Sequence, residues 1–250
     1  MHKRPGECRV ALADERVGNE AGTVAREPGA GDPAAGPEPG QEPAARQQPA
    51  LTGPPTRYRM ITPTDWFRIP LRSETKRARA VQILVDMAYP NKDEFATKRH
   101  ELRELLGNVT ESAAQRDAIE IYLSTQAALG VPIPASLMVT AEPEHPTATQ
   151  QLPPATLADG IRDKYHGQAE VSVVRLPSGE AVRCRRTELS EDSKELGQPE
   201  ERPNTLLEFY LPVPHSTAWL VLTFSAPLRE LADAQVEMFD AIAGSFRWSE

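Results

Sequence analysis

Asn204-Thr205-Leu206-Leu207-Glu208-Phe209-Tyr210-Leu211 and, beyond a proline-broken loop, Trp219-Leu220-Val221-Leu222-Thr223-Phe224 are the two runs whose reading decides the fold. In the first, Thr205, Leu207, Phe209 and Leu211 share one side and Leu206, Glu208 and Tyr210 the other, the period of two that a strand requires. One side is apolar and the other mixed. Pro212, Pro214, His215 and Ser216 interrupt the pattern. In the second run both sides are apolar, Trp219 and Val221 against Leu220, Leu222 and Phe224, which predicts an interior strand covered on both faces. Pro227 and Gly244 then bracket a helix, proline in its first turn and glycine past its end. Leu228, Leu231, Ala232, Val236, Phe239 and Ile242 form its apolar stripe, and Arg229, Asp233, Glu237 and Asp240 lie opposite. Each large side chain buried here contributes about 1.5–3 kcal/mol, so this unit anchors the core. Phe246 and Trp248 alternate with Ser245 and Arg247 as a closing strand.

The chain has 250 residues, 39% of them hydrophobic, and its 24 prolines leave room for one folded domain and a tail. Residues 1–56 contain no Phe, Tyr or Trp and are crowded with Pro, Gly, Ala and Glu, a composition too poor in apolar surface to offset the entropy of ordering. Disorder is expected there, and 57–250 is expected to be a single domain. Met60 also stands as a natural start just before the first strand, so the tail reads either as a flexible linker or as an extension upstream of the true start. A net charge of −8 disfavours nonspecific binding to nucleic acid or anionic membranes, which needs a basic footprint. Cys8 and Cys184 show no CxxC spacing, so neither a disulfide framework nor a zinc site is implied. With no apolar run of about 18 residues and no apolar core to a signal peptide, the expected location is cytoplasmic.

Upstream of the deciding runs, Asp65 to Leu71 alternates as a short strand whose Pro70 points to an edge or a strand end. Ser73 opens a helix with Val81, Leu84, Val85 and Ala88 at helical spacing, stopped at Tyr89-Pro90-Asn91. A second helix is expected from Lys92 to Leu106, ending at Gly107-Asn108. A third is expected from a Thr110 cap, with Ala114, Ala118, Ile121, Tyr122, Thr125 and Leu129 as its stripe. Ala135 to Ala141 reads as a strand, Glu142 to Pro154 as a loop and Thr156 to Tyr165 as a short helix. Glu170 to Leu176 and Ala181 to Leu189 form a hairpin about Pro177-Ser178-Gly179-Glu180, and Ser190 to Pro203 is an acidic loop.

This element order, with Trp219-Leu220-Val221-Leu222-Thr223-Phe224-Ser225 and Phe239-Asp240-Ala241-Ile242-Ala243-Gly244-Ser245-Phe246-Arg247-Trp248, resembles the PsbP-like superfamily. The resemblance is strongest over 204–248. It implies an antiparallel sheet flanked by helices, in a family of mostly non-enzymatic binding and assembly proteins that includes a photosystem subunit, a Ran-binding import factor and many bacterial proteins. It carries over no binding residue.

The residues offer few chemical sites. Ser73-Glu74-Thr75-Lys76 has the SxxK spacing of a lysine-activated serine but lacks the KTG partner, so Ser73 reads as a helix cap. His2, His100, His145, His166 and His215 are scattered, with no HxH, HExxH or i, i+4 pair. Asp240 reads as a solvated or locally paired carboxylate, because a lone acid needs a partner for acid–base work. Three basic clusters could meet an acidic partner: Arg68, Arg72, Lys76, Arg77 and Arg79; Lys98, Arg99, His100 and Arg103; and Arg183, Arg185 and Arg186. Arg183 and Arg185 are the best of these, because they fork from one side of a strand expected to be solvated, while Cys184 faces the core.

These readings give an α+β fold, an antiparallel sheet flanked by helices. The function expected is that of a non-enzymatic protein-binding adaptor, assembly factor or secretion-associated chaperone. A protein partner is expected at Arg183 and Arg185, with no catalytic, cofactor or metal site and no nucleic-acid or membrane partner. The alternatives are an enzyme with a dispersed, loop-borne site and a small-ligand module with a pocket between sheet and helices.

Overall fold

The computed structural model describes residues 53–128, 131–144, 147–189 and 203–249. Positions 1–52 of the expected tail and 190–202 of the expected acidic loop lie outside the described residues.

In chain order the strands are β1 (Arg57–Arg59), β2 (Trp66–Pro70), β3 (Ala118–Ser124), the two-residue β4 (Ala127–Ala128) and β5 (Val131–Pro132), β6 (Ser136–Glu142), β7 (Ala169–Leu176), β8 (Gly179–Leu189), β9 (Pro203–Pro212), β10 (Trp219–Ala226) and β11 (Arg247–Ser249). The helices are α1 (Glu74–Ala88), α2 (Ala96–Gln115), α3 (Pro154–Lys164) and α4 (Ala232–Gly244). Seven strands form one antiparallel sheet in the order β2-β3-β6-β10-β9-β8-β7. β10 is an interior strand between β6 and β9, as its two apolar faces predict, and β2 lies at an edge, as Pro70 predicts. β1 and β11 make a separate antiparallel ribbon, in which Tyr58 is opposite Trp248.

The sheet has two unlike faces. On the first, Leu207, Phe209 and Leu211 of β9 and Leu220, Leu222 and Phe224 of β10 meet Val236, Phe239 and Ile242 of α4, the stripe read from the sequence. Phe224 stacks on Phe239 with ring centroids 4.8 Å apart. Tyr58 of the ribbon stacks on Phe246 at 5.4 Å, which closes the same core. On the second face, Ile69, Ala118 and Ile121 pack with Ala80 of α1 and Ala113 of α2, while Val182 and Cys184 of β8 pack with Ala158 and Ile161 of α3.

Two stretches depart from expectation. The second helix does not end at Gly107-Asn108 but runs to Gln115, and the expected third helix is instead strand β3. An internal Gly-Asn pair weakens a helix by about 1 kcal/mol without breaking its hydrogen bonds as proline does, and Gly107 is not among the glycines with positive φ. The chain turns at Asp117, where φ is 60°, a conformation aspartate tolerates better than most residues. After it, Ile119-Glu120-Ile121-Tyr122 is buried on both faces and rich in residues that suit a strand. The helical stripe read over Ala118, Ile121, Tyr122 and Thr125 coincides with a fully covered strand, which helical spacing does not distinguish over so few residues. The second correction is at the C-terminal helix. It starts after a short 3-10 turn, Arg229–Leu231, includes Gly244, and is capped by Ser245 at φ −84°, so glycine supplies no left-handed cap there.

No helix among the described residues is long and apolar enough to cross a membrane.

Candidate functional site

Most arginines of the three basic clusters are paired internally. Arg183 points to the α4 face, where its Nε and Nη2 donate to the two carboxylate oxygens of Asp240 at 2.8 and 3.0 Å. Arg185, two residues along the same strand, donates to Asp233 at 2.5 Å. The side of β8 expected to be solvated is therefore the side on which α4 lies, and both arginines tie that helix to the sheet. A partner's carboxylates at Arg183 and Arg185 would have to displace Asp240 and Asp233. Of the two readings of Asp240, solvated or locally paired, the structure has the second.

Several members of the other clusters behave alike. Arg99 is buried, donating to Asp86 and to the Tyr89 carbonyl, each at 2.5 Å, and this hydrogen bond holds the Asp86 carboxyl below its ordinary value. Arg77 donates to the Leu71 carbonyl at 3.2 Å and Arg103 to Gln82 at 3.1 Å. Ser73 caps α1, accepting from the Lys76 amide at 3.4 Å, as its sequence context predicts. The described histidines stand apart: His100 is beside Glu104 on α2 at 3.6 Å, and His166 and His215 occupy turns with φ of 49° and 58°.

Two buried clusters were not legible as sites. On the α4 face, Glu120 is 1% exposed, and it accepts from the hydroxyls of Tyr58 and of Tyr122 at 2.9 Å and from Arg68 Nε at 2.5 Å. On the opposite face, Glu208 accepts from Tyr210 at 3.0 Å and meets Arg186 Nη1 at 2.5 Å, while the Arg186 guanidinium lies over the Tyr165 ring at 5.1 Å. In each, a strand carries Glu-x-Tyr and its neighbour supplies an arginine. Burial first, then the adjacent glutamate charge, pushes Tyr58, Tyr122 and Tyr210 well above the ordinary tyrosine value. The same two causes raise the Cys184 thiol. The glutamate of each cluster is already engaged by protein donors, so both clusters hold strands together. The signal for them, Glu120-Ile121-Tyr122 and Glu208-Phe209-Tyr210, is a spacing of two that also reads as plain strand alternation.

The second face carries an open region instead. α1 and α2 cover β2 and β3, and α3 covers β7 and β8. On this face no described helix lies over β6, β10 and β9, α4 being on the other. There a cleft of about 550 Å³ opens, floored by Leu123, Ser136, Met138, Thr223 and Ser225 and walled by Val109, Ser112 and Arg116 of α2. Leu105 and Val109, one turn apart on α2, are 60% and 51% exposed. With Ser112 and Arg116 they follow the spacing i, i+4, i+7, i+11, a single row along the helix. The far end of the floor is closed by the segment before α3: with its amide turned to suit its neighbours, Gln151 donates to the Ser216 and Thr217 carbonyls at 2.7 and 3.0 Å and accepts from Trp219 Nε1 at 3.1 Å. Neither carboxylate nor imidazole lines the cleft among the described residues.

No family model and no curated protein matches the chain. Among solved structures it is similar to LpqN of Mycobacterium tuberculosis, described as involved in cell envelope biogenesis, at 11% identity over 81% of this chain and 88% of that one, with a TM-score of 0.42. It is also similar to the cyanobacterial PsbP (CyanoP) of Synechocystis sp. PCC 6803, at 10% identity over 76% of this chain and 86% of that one, with a TM-score of 0.34. The second of these is a PsbP, the name carried by the superfamily that the C-terminal pattern resembles, and at such identity neither structure lends this chain an activity or a partner.

Proposed function

We propose that this chain is a non-enzymatic protein-binding adaptor or assembly factor whose docking surface is the uncovered part of the sheet beside α2. The observation that supports this reading is the character of the cleft: largely apolar and hydroxyl-lined, with exposed Val109 in its α2 wall, exposed Leu105 one turn away on the same helix, and neither acid nor histidine in its lining among the described residues. An active site of general acid–base type needs at least two such groups within reach of one another. An exposed apolar surface framed by polar residues is, by contrast, what a protein interface presents before it is covered.

The test is affinity purification of the tagged full chain from its own cells, wild type beside Leu105→Glu with Val109→Glu. A stoichiometric protein that co-elutes with the wild type and is lost from the variant, at an unchanged Tm, supports the reading. A bait that emerges alone at several salt concentrations contradicts it and turns attention to metabolite turnover.

A further inference from the structure

We infer that the open lane between α2 and α3 receives one amphipathic α-helix of a partner protein, acidic along its flanks. This rests on the protein-binding reading above and names the form of the partner. β3, under α2, and β8, under α3, are separated by the three strands β6, β10 and β9. Strands stand about 4.8 Å apart, so this spacing is roughly 19 Å, and packed helices lie about 8–10 Å apart axis to axis. One further helix fits between α2 and α3, and two do not.

Both walls are prepared for it. The row Leu105, Val109, Ser112 and Arg116 on α2 has the spacing by which one helix packs against another, and nothing among the described residues occupies that side. On α3, Ala158 and Ile161 face the sheet and Arg162 reaches the Val171 carbonyl of β7 at 3.2 Å. Helical geometry turns Gly160 and Lys164 the other way, toward β9, and a Cβ added at Gly160 would meet no atom within 4 Å.

Charge chooses the occupant's flanks. Arg116 is exposed and no described residue pairs with its guanidinium, and Lys164 is exposed with its Nζ over the Tyr165 ring at 5.1 Å and no described carboxylate paired with it. The floor arginine, Arg186, is already matched by Glu208. Among the described residues the lane therefore offers unmatched positive charge on both walls, above a floor that is apolar and hydroxyl-bearing beside α2 and carries the matched Arg186–Glu208 pair beside α3. This suits a helix with a hydrophobic stripe between acidic edges, the mode in which a groove reads i, i+3, i+4 and i+7 anchors.

The test places a photo-reactive phenylalanine at Val109 of the full chain in its own cells, with mass spectrometry of the adduct. An adduct on an amphipathic helix with acidic edges in another protein, its yield reduced at least about tenfold by Arg116→Glu with Lys164→Glu, is the expected result. An adduct on a partner's loop or strand overturns the helix while leaving the protein-binding reading intact. An adduct on a second copy of this chain overturns the hetero-partner. An adduct within the same chain, or none on any protein, overturns both the inference and the reading beneath it.

Discussion

Arg183 of β8 grips Asp240 of α4 with two donors, Nε at 2.8 Å and Nη2 at 3.0 Å, one to each carboxylate oxygen. The pair ties the helix that seals the main core to the sheet beneath it, and it takes an arginine that would otherwise offer a fork to solvent. Its neighbour Arg185 pairs with Asp233, whose side chain is 88% exposed, so that contact is screened and weak. Arg183→Glu, which sets a carboxylate against Asp240, is expected to lower stability by about 2 kcal/mol and Arg185→Glu by less than about 1 kcal/mol. Thermal denaturation of the two single variants checks the order. Equal and negligible shifts would mean that the bidentate pair does not hold α4.

Glu120 is the most enclosed charge in the described structure, and three donors converge on it. Glu120→Ala leaves two buried hydroxyls and a guanidinium without their acceptor. Loss of one partner of a buried pair costs about 3–5 kcal/mol, and the partial exposure of Arg68 places the expected loss at the lower end, about 3 kcal/mol. Urea unfolding of Glu120→Ala beside Glu120→Gln measures it, the amide variant keeping acceptor capacity and losing less.

The tyrosines around the two glutamates give the fold a pH signature. Tyr58, Tyr122 and Tyr210 are neutral acids whose folded-state pKa lies above the ordinary value of 10.0. Between the unfolded and folded values the native state holds more protons than the unfolded chain, so their contribution is complete below pH 10 and is lost as pH rises beyond it. Ultraviolet titration should show these three of the chain's five tyrosines ionising only as the protein unfolds. Tyr58→Phe with Tyr122→Phe should flatten the alkaline loss of stability.

Gly107 distinguishes a continuous α2 from a helix that stops. It lies in mid-helix, and a Cβ there would meet no atom within 4 Å. Gly107→Ala should therefore stabilise the protein by about 0.5–1 kcal/mol. A loss of stability would mean that the chain leaves the helix at this residue, as Gly-Asn alone suggests.

That substitution also marks where the sequence was legible. β9, β10 and α4 announce themselves, because strict alternation and a full apolar stripe have one physical reading each. β3 does not: Ala118 to Tyr122 is covered on both sides by tertiary structure, and a short run apolar at every position but Glu120 fits helix and strand equally. Alternation puts Arg183 and Arg185 on one side of one strand, yet sequence does not say which helix lies on that side. The cleft was invisible for a different reason. On that face no described helix lies over β6, β10 and β9, and periodicity in a strand records only that its residues are partly apolar.

The central claim is that a protein docks on the α2 side of the sheet and not at the arginines of the α4 side. The most direct measurement is capture from its own cells by three forms of the full chain side by side: wild type, Val109→Glu, and Arg183→Glu with Arg185→Glu, each accompanied by its Tm. Docking in the lane predicts that Val109→Glu keeps its Tm and binds the captured partner at least about tenfold more weakly, a change of about 1.4 kcal/mol. The double arginine variant should melt lower and still bind. Binding that survives Val109→Glu and disappears with the arginines would contradict it and move the interface to β8 and α4.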